Sequence, residues 1–210
     1  MSKPYYDEEG HVAVKNEIKP AKKQIFLIGD SIRMGYCQTV KSELEEIANV
    51  FYPEENCRDS HYVITSLRAW FKYCNPDDVD IIHFNFGHWD VAHWNGYKTN
   101  LTSLREYKKN LICAITLMRL LYKNAKLVFA TSTPMNPNPS FGVNPRTTKE
   151  FIRYNNVAKS VCKKYGVLVD DLFEFTKNYD SSAFSDYAHF TKEKFADIGK
   201  EVARYLKTLF

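Results

Sequence analysis

Five short apolar runs recur along the chain, and between them lie longer stretches whose apolar residues fall at helical spacing. The runs are QIFLIG (24–29), IANVFY (47–52), VDIIHFNFG (79–87), AKLVFATS (125–132) and YGVLVDDL (165–172). Near-continuous Val, Ile, Leu and Phe is the pattern of strands covered on both faces, so the five are predicted to form a parallel sheet. After the first run Cys37, Val40, Leu44 and Ile47 share one helical face, and 104–122 repeats the pattern through Leu104, Leu111, Ile115, Met118 and Leu121 or Tyr122. A third helix is predicted over 151–165. Thr191 caps a fourth that turns Phe195, Ile198, Val202 and Leu206 to one side. Strands alternating with helices in this order predict an open, doubly wound α/β sheet.

The flanks break this pattern. Residues 1–21 are polar, hold Pro4 and Pro20 and show no period, so they read as an N-terminal extension before a single domain at 22–210. The stretch TPMNPNPSFGVNPR (133–146) is the one long connection and carries four of the eight prolines; its length suits a lid or a substrate rim.

Composition narrows the function classes. A formal net charge of +4 with 25 acidic residues leaves no basic footprint for nucleic acid or membrane beyond Lys22 and Lys23, with Lys15 and Lys19 nearby, which read as a solvated lead-in. Five cysteines, Cys37, Cys57, Cys74, Cys113 and Cys162, are odd in number and have no C-x-x-C spacing, which fits free thiols better than a disulfide framework or a zinc ribbon. No apolar leader and no run of about 18 apolar residues is present, so the expected setting is cytoplasmic.

The chemistry concentrates at the end of the first run. Gly29 permits a tight strand-to-helix bend, and Ser31 then sits at a helix N-terminus, where backbone N–H groups and the macrodipole favour a developing oxyanion. Asp30 or Ser31 would serve equally as a plain N-cap. A nucleophilic serine needs a base, and the base an orienting acid. FSDYAHFT supplies both: Asp186 and His189 stand at i, i+3 just before the last helix, so one turn brings the carboxylate to one imidazole nitrogen while the other faces the serine. Asp170 and Asp171, at the end of the fifth run, are rival partners for His189, though spacing favours Asp186.

These residues resemble the SGNH/GDSL hydrolase family. IFLIGDSI is similar to its nucleophile block, with Ser31 in the serine's place, and SDYAHF to its final block, with Asp186 and His189 as acid and base. The resemblance implies a three-layer α/β/α sandwich with a five-stranded parallel, flavodoxin-like sheet and metal-free, cofactor-free acyl transfer from an ester. A sugar or lipid is the usual alcohol, and a short acyl group such as acetyl on a carbohydrate is expected. The partner is then a small-molecule or saccharide ester, not nucleic acid or membrane.

Two blocks depart from the family pattern. Its second block supplies a glycine N–H to the oxyanion hole, yet this chain has no glycine between Gly35 and Gly87. PEENCRDS stands there instead, making Asn56 the expected donor and Arg58 a clamp on an acidic or hydroxyl-rich substrate. Where G-x-N-D is usual the chain reads GHWD, with Trp89 for the asparagine. Asn85, two residues before the glycine, and the Gly87 N–H are the replacements considered. FNFGHW is similar to a signature of the polysaccharide O-acetyltransferase and esterase branch, which leaves open whether water or a sugar takes the acyl group; a non-catalytic glycan- or lipid-binding protein of this fold is the further alternative. Asp30, Arg33, Arg58, His88 and Trp89 are the expected substrate contacts.

Other groupings are weaker. His83, His88, Asp90 and His93 crowd together without a metal signature, and His83 reads as a buried strand histidine. Cys57 lacks a setting that would lower its pKa. Trp70, Trp89 and Trp94 fall near the expected rim, where aromatics suit sugar stacking as well as core packing.

Overall fold

The computed structural model describes residues 22–138 and 144–210; the expected 1–21 extension, with Lys15 and Lys19, and the middle of the 133–146 loop lie outside them. Each apolar run supplies one strand: β1 (Lys23–Ile28), β2 (Ala48–Phe51), β3 (Ile81–Phe84), β4 (Lys126–Ala130) and β5 (Leu168–Asp170). All pairings are parallel, in the order β2-β1-β3-β4-β5. The helices are α1 (Ser31–Leu44), α2 (Ser60–Ser66), α3 (His88–Val91), α4 (Leu104–Leu121), α5 (Thr148–Tyr165), α6 (Leu172–Thr176) and α7 (Lys192–Lys207).

Burial explains the unbroken apolar runs. Along β1, Ile25 and Leu27 pack into the layer of α1 and α7, while Phe26 and Ile28 pack with α2, α4 and α5 on the opposite face. Both faces are therefore covered, and the three-layer α/β/α arrangement follows. β3 and β4 repeat the division: Ile82, Phe84, Leu127 and Phe129 face one layer, Ile81, Val128 and Ala130 the other. α7 starts as expected, with the Thr191 side chain accepting from the Lys194 N–H.

Some expectations shift. Ile47 is not on α1. The helix ends at Leu44, and the Ile47 carbonyl accepts from Lys23 N–H as the chain turns into β2, leaving Ile47 exposed. Trp70 is not a rim residue either: it is buried in a 3-10 turn (Ala69–Lys72), its Nε1–H donating to Glu55 at 2.8 Å. His83 is buried on β3, with Nε2 3.0 Å from Asp170 Oδ2. Sheet order reverses between β1 and β3, so their carboxyl ends open a crevice where ligands of such sheets bind.

Candidate active site

β1 delivers Ser31 to that crevice. Gly29 and Asp30 form the turn, the Asp30 side chain accepts from the Ile32 N–H at 3.0 Å, and α1 begins at Ser31. Glycine is required at 29 because a Cβ there would lie 2.0 Å from Asn85 Oδ1. Across the crevice the 184–190 segment, pinned by the Phe184 to Phe190 bridge, carries Asp186 and His189. Asp186 Oδ1 accepts from the N–H groups of Ala188 and His189, each at 2.7 Å, and Oδ2 lies 2.7 Å from His189 Nδ1. The other imidazole nitrogen, Nε2, lies 2.7 Å from Ser31 Oγ. One tight turn thus orients acid and ring together, and the ring reaches the serine.

The electrostatics follow from these contacts. Burial opposes charge on Asp186, yet the two backbone N–H groups and His189 outweigh it and hold the carboxyl below its ordinary range. Asp170 and Asp171 are engaged elsewhere, the first with His83 and the second capping α6, so neither rivals Asp186 for His189.

A second segment closes one side. The Cys57 N–H donates to Gly29 carbonyl at 3.1 Å, which sets Asn56 beside the serine turn. Asn56 lines the cleft, and its Oδ1 accepts from the Arg58 N–H at 2.9 Å. Arg58 adopts φ 51°, rare for a side-chain-bearing residue, and is exposed with its guanidinium 4.9 Å from the Tyr62 ring centre and 5.8 Å from that of Trp89. Cys57 itself is buried, and desolvation raises its thiol to about 11, which leaves no thiolate nucleophile.

Four expected contacts are corrected. Arg33 is only 1% exposed, its guanidinium donating to the Gly29 and Glu55 carbonyls at 3.1 and 2.6 Å, so it ties the serine turn to the Asn56 segment and does not face substrate. Asp30 is wholly buried beneath that turn; desolvation raises its pKa despite the neighbouring Asn85, Arg33 and Arg146. Asn85 is 4% exposed and points beneath the turn at Gly29, because its own N–H continues the β1 to β3 ladder by donating to Ile28. Gly87 turns the chain from β3 into α3 with φ 147°, where a Cβ would meet Ser132 Oγ at 2.1 Å, and it does not line the cleft. Polar residues in a tight turn read as exposed in sequence, but helix packing folds them inward.

His88 and Trp89 do line the cleft, a space of about 250 Å³. His88 Nε2 lies 3.1 Å from Thr133 Oγ1, and burial, reinforced by Arg146 and His189, pushes the imidazole well below the ordinary range, so it is neutral. Trp89 pairs with Trp94 at 4.8 Å between ring centres, and Asp90 beneath them anchors the segment by accepting from the Ser60 N–H and hydroxyl. Arg146, Tyr187 and Asn144 also line the cleft, and none was expected. Arg146 Nη2 donates to Tyr187 Oη at 3.0 Å and Nη1 to the His88 carbonyl. The only signal for it was its place in the long 133–146 connection. Among the described residues no group of three His, Cys, Asp or Glu is placed to hold a metal, and no helix is long and apolar enough to cross a membrane.

No protein-family model matches the chain, and no curated protein does. Solved structures do share the fold. An acetyl xylan esterase aligns over 87% of this chain and 99% of its own, with TM-score 0.67 and 15% identity. A lipase/acylhydrolase from Enterococcus faecalis aligns over 89% and 96%, with TM-score 0.65 and 19% identity. A carbohydrate acetylesterase from Sinorhizobium meliloti aligns over 90% and 100%, with TM-score 0.65 and 14% identity. The three-layer sheet architecture is therefore common to this chain and these hydrolases.

Proposed function

We propose that the chain is a serine esterase of the SGNH/GDSL type, acting on short acyl esters of a carbohydrate through Ser31, His189 and Asp186. The observation that carries this reading is the continuous line from Ser31 Oγ to His189 Nε2 and from His189 Nδ1 to Asp186 Oδ2, each contact 2.7 Å.

In this mechanism Ser31 Oγ attacks the ester carbonyl carbon while His189 Nε2 takes its proton. Asp186 accepts from Nδ1–H, fixing the tautomer and stabilising the imidazolium. The tetrahedral oxyanion is received by the Ser31 N–H at the start of α1 and by the Asn56 amide, each donor lowering the barrier by about 3 kcal/mol. The imidazolium then protonates the leaving alcohol, and water, activated by the same ring, releases the acid from the acyl-serine. The substrate class rests on two supports: a cleft of about 250 Å³, below the usual range for larger ligands, suits a short acyl group, and the Trp89 to Trp94 pair offers a stacking face for a sugar ring. The names of the fold relatives, which include carbohydrate acetylesterases, agree with this choice.

The test is p-nitrophenyl acetate hydrolysis by wild type and Ser31→Ala, followed by butyrate and octanoate esters and an acetylated xylo-oligosaccharide with and without an added sugar acceptor. Turnover that disappears in Ser31→Ala and falls with acyl length is expected. Absence of Ser31-dependent turnover on every ester overturns the reading, and acyl transfer outrunning hydrolysis replaces water by a sugar as acceptor.

A further inference from the structure

The cleft is one-sided in charge. Its wall carries the Arg146 guanidinium, Arg58 stands over Trp89 at its rim, and among the described residues no aspartate or glutamate lines it. Among the described residues neither arginine is paired with a carboxylate. Nearby acids are engaged elsewhere: Glu55 accepts from Tyr62 Oη and Trp70 Nε1, Glu150 faces His93 and Asn100, and Asp186 holds His189. The field of this wall is felt by its neighbours, since Arg146 helps keep His88 neutral and favours the charged form of Asp30.

Arg146 is also fixed in place. Of the five N–H donors of a guanidinium, one is held by Tyr187 Oη and one by the His88 carbonyl, while Nε is sealed from solvent without a partner. The remaining Nη hydrogens are those a cleft ligand can meet. Tyr187 lies between Asp186 and His189 in the chain, so the cation is held at a set position relative to the catalytic base. A fixed, half-buried fork of this kind suits a planar carboxylate, which it meets with parallel hydrogen bonds.

We infer that the cleft selects esters whose alcohol half bears a carboxylate, an O-acylated uronic acid in chemical class, with Arg146 as the anion ligand and Arg58 reinforcing it from the rim. The inference rests on the esterase reading above and deepens it. A purely structural Arg146, bracing the 186–189 segment against His88, would lower activity on all esters alike and create no preference.

The experiment compares O-acetylated methyl glucuronoside with the matching glucuronamide, which has the same shape and no charge, following acetate release by wild type and Arg146→Gln. In parallel, binding of the same two esters to Ser31→Ala is measured by calorimetry. A kcat/KM for the acid about 10- to 100-fold above the amide is expected, reduced by added salt and brought near unity in Arg146→Gln whatever that variant's absolute rate. Should Arg146→Gln fail to fold, Arg58→Gln reports the same ratio, expected to fall part of the way. Equal rates and equal binding for acid and amide overturn the inference while leaving the esterase reading standing. A binding preference in Ser31→Ala without acetate release by wild type supports the anion site and overturns the esterase reading. A preference unchanged in both arginine variants overturns the assignment to these residues.

Discussion

Ser31 and His189 are 158 positions apart in the chain and 2.7 Å apart in the fold. The contact is held by the packing of α1 on α7, the helices that follow each residue. That packing depends on small residues: a Cβ on Gly35 would lie 2.3 Å from the Phe195 ring, and one on Gly199 would lie 2.6 Å from Thr39 Cβ and 3.0 Å from the Tyr36 carbonyl oxygen.

Gly199→Ala therefore separates the helices. The Phe195 ring opposite Gly35 is the end of a side chain, but the Thr39 Cβ and a backbone oxygen opposite Gly199 are fixed close to the main chain. A loss of about 1–3 kcal/mol of stability is expected, with kcat/KM reduced in the fraction that remains folded. Urea unfolding together with esterase assays checks both; a variant as stable and active as wild type would show the interface to be slack.

Asp186→Asn should keep the turn and lose the chemistry. The amide oxygen still accepts from Ala188 and His189 N–H, but an NH₂ facing Nδ1 forces the tautomer whose Nε2 carries the proton towards Ser31. A fall in kcat of about 10²- to 10⁴-fold is expected, with little change in KM. Since the Asp186 carboxyl lies below its ordinary range, its contribution to stability is present above the unfolded value and is lost as pH falls through the folded one. Wild type should accordingly lose stability as pH falls through the Asp186 range, and Asp186→Asn should lack that component; denaturant titrations of both proteins at a series of acidic pH values check this.

Asn56 carries two duties that substitution separates. Asn56→Asp preserves the oxygen that accepts from Arg58 N–H but replaces the amide donor; Asn56→Ala removes both. A donor to the oxyanion predicts that both variants lose about 10²–10³ in kcat. Recovery of activity in the aspartate variant would reduce Asn56 to a turn former.

Asp90 makes stability fall as pH rises. Burial lifts its carboxyl to about 6 against the hydrogen bonds from the Ser60 N–H and hydroxyl. Between roughly pH 4 and 6 the folded chain holds more protons here than the unfolded one, so wild type loses up to about 3 kcal/mol relative to Asp90→Asn across that window. Parallel stability curves for the two proteins, measured by denaturant titration from pH 4 to 7, would rule this out.

How far the site was legible follows from where its contacts lie in the chain. Ser31, and the Asp186 to His189 pair, are short local motifs at a strand end and before a helix, and their placement on one rim together with the SGNH/GDSL resemblance singles them out where spacing alone does not. The five strands are equally plain because both faces of the sheet are covered, which makes each run apolar throughout. Arg33, Asp30 and Asn85 were misplaced for the opposite reason: their burial is decided by long-range packing of the serine turn on the 55–57 segment and β3, and a charged side chain in a turn looks exposed until that packing is known. Arg146 was missed because nothing local sets it apart. It becomes part of the site through Tyr187 and His88, residues 41 and 58 positions away.

The docking of α7 on α1 also orders events during synthesis. Ser31 and the turn that presents it belong to β1 and α1, but the imidazole that meets it lies 158 positions later, just before α7. A nascent chain thus exposes Ser31 well before His189 is made, and under the proposed mechanism the serine lacks its base until then.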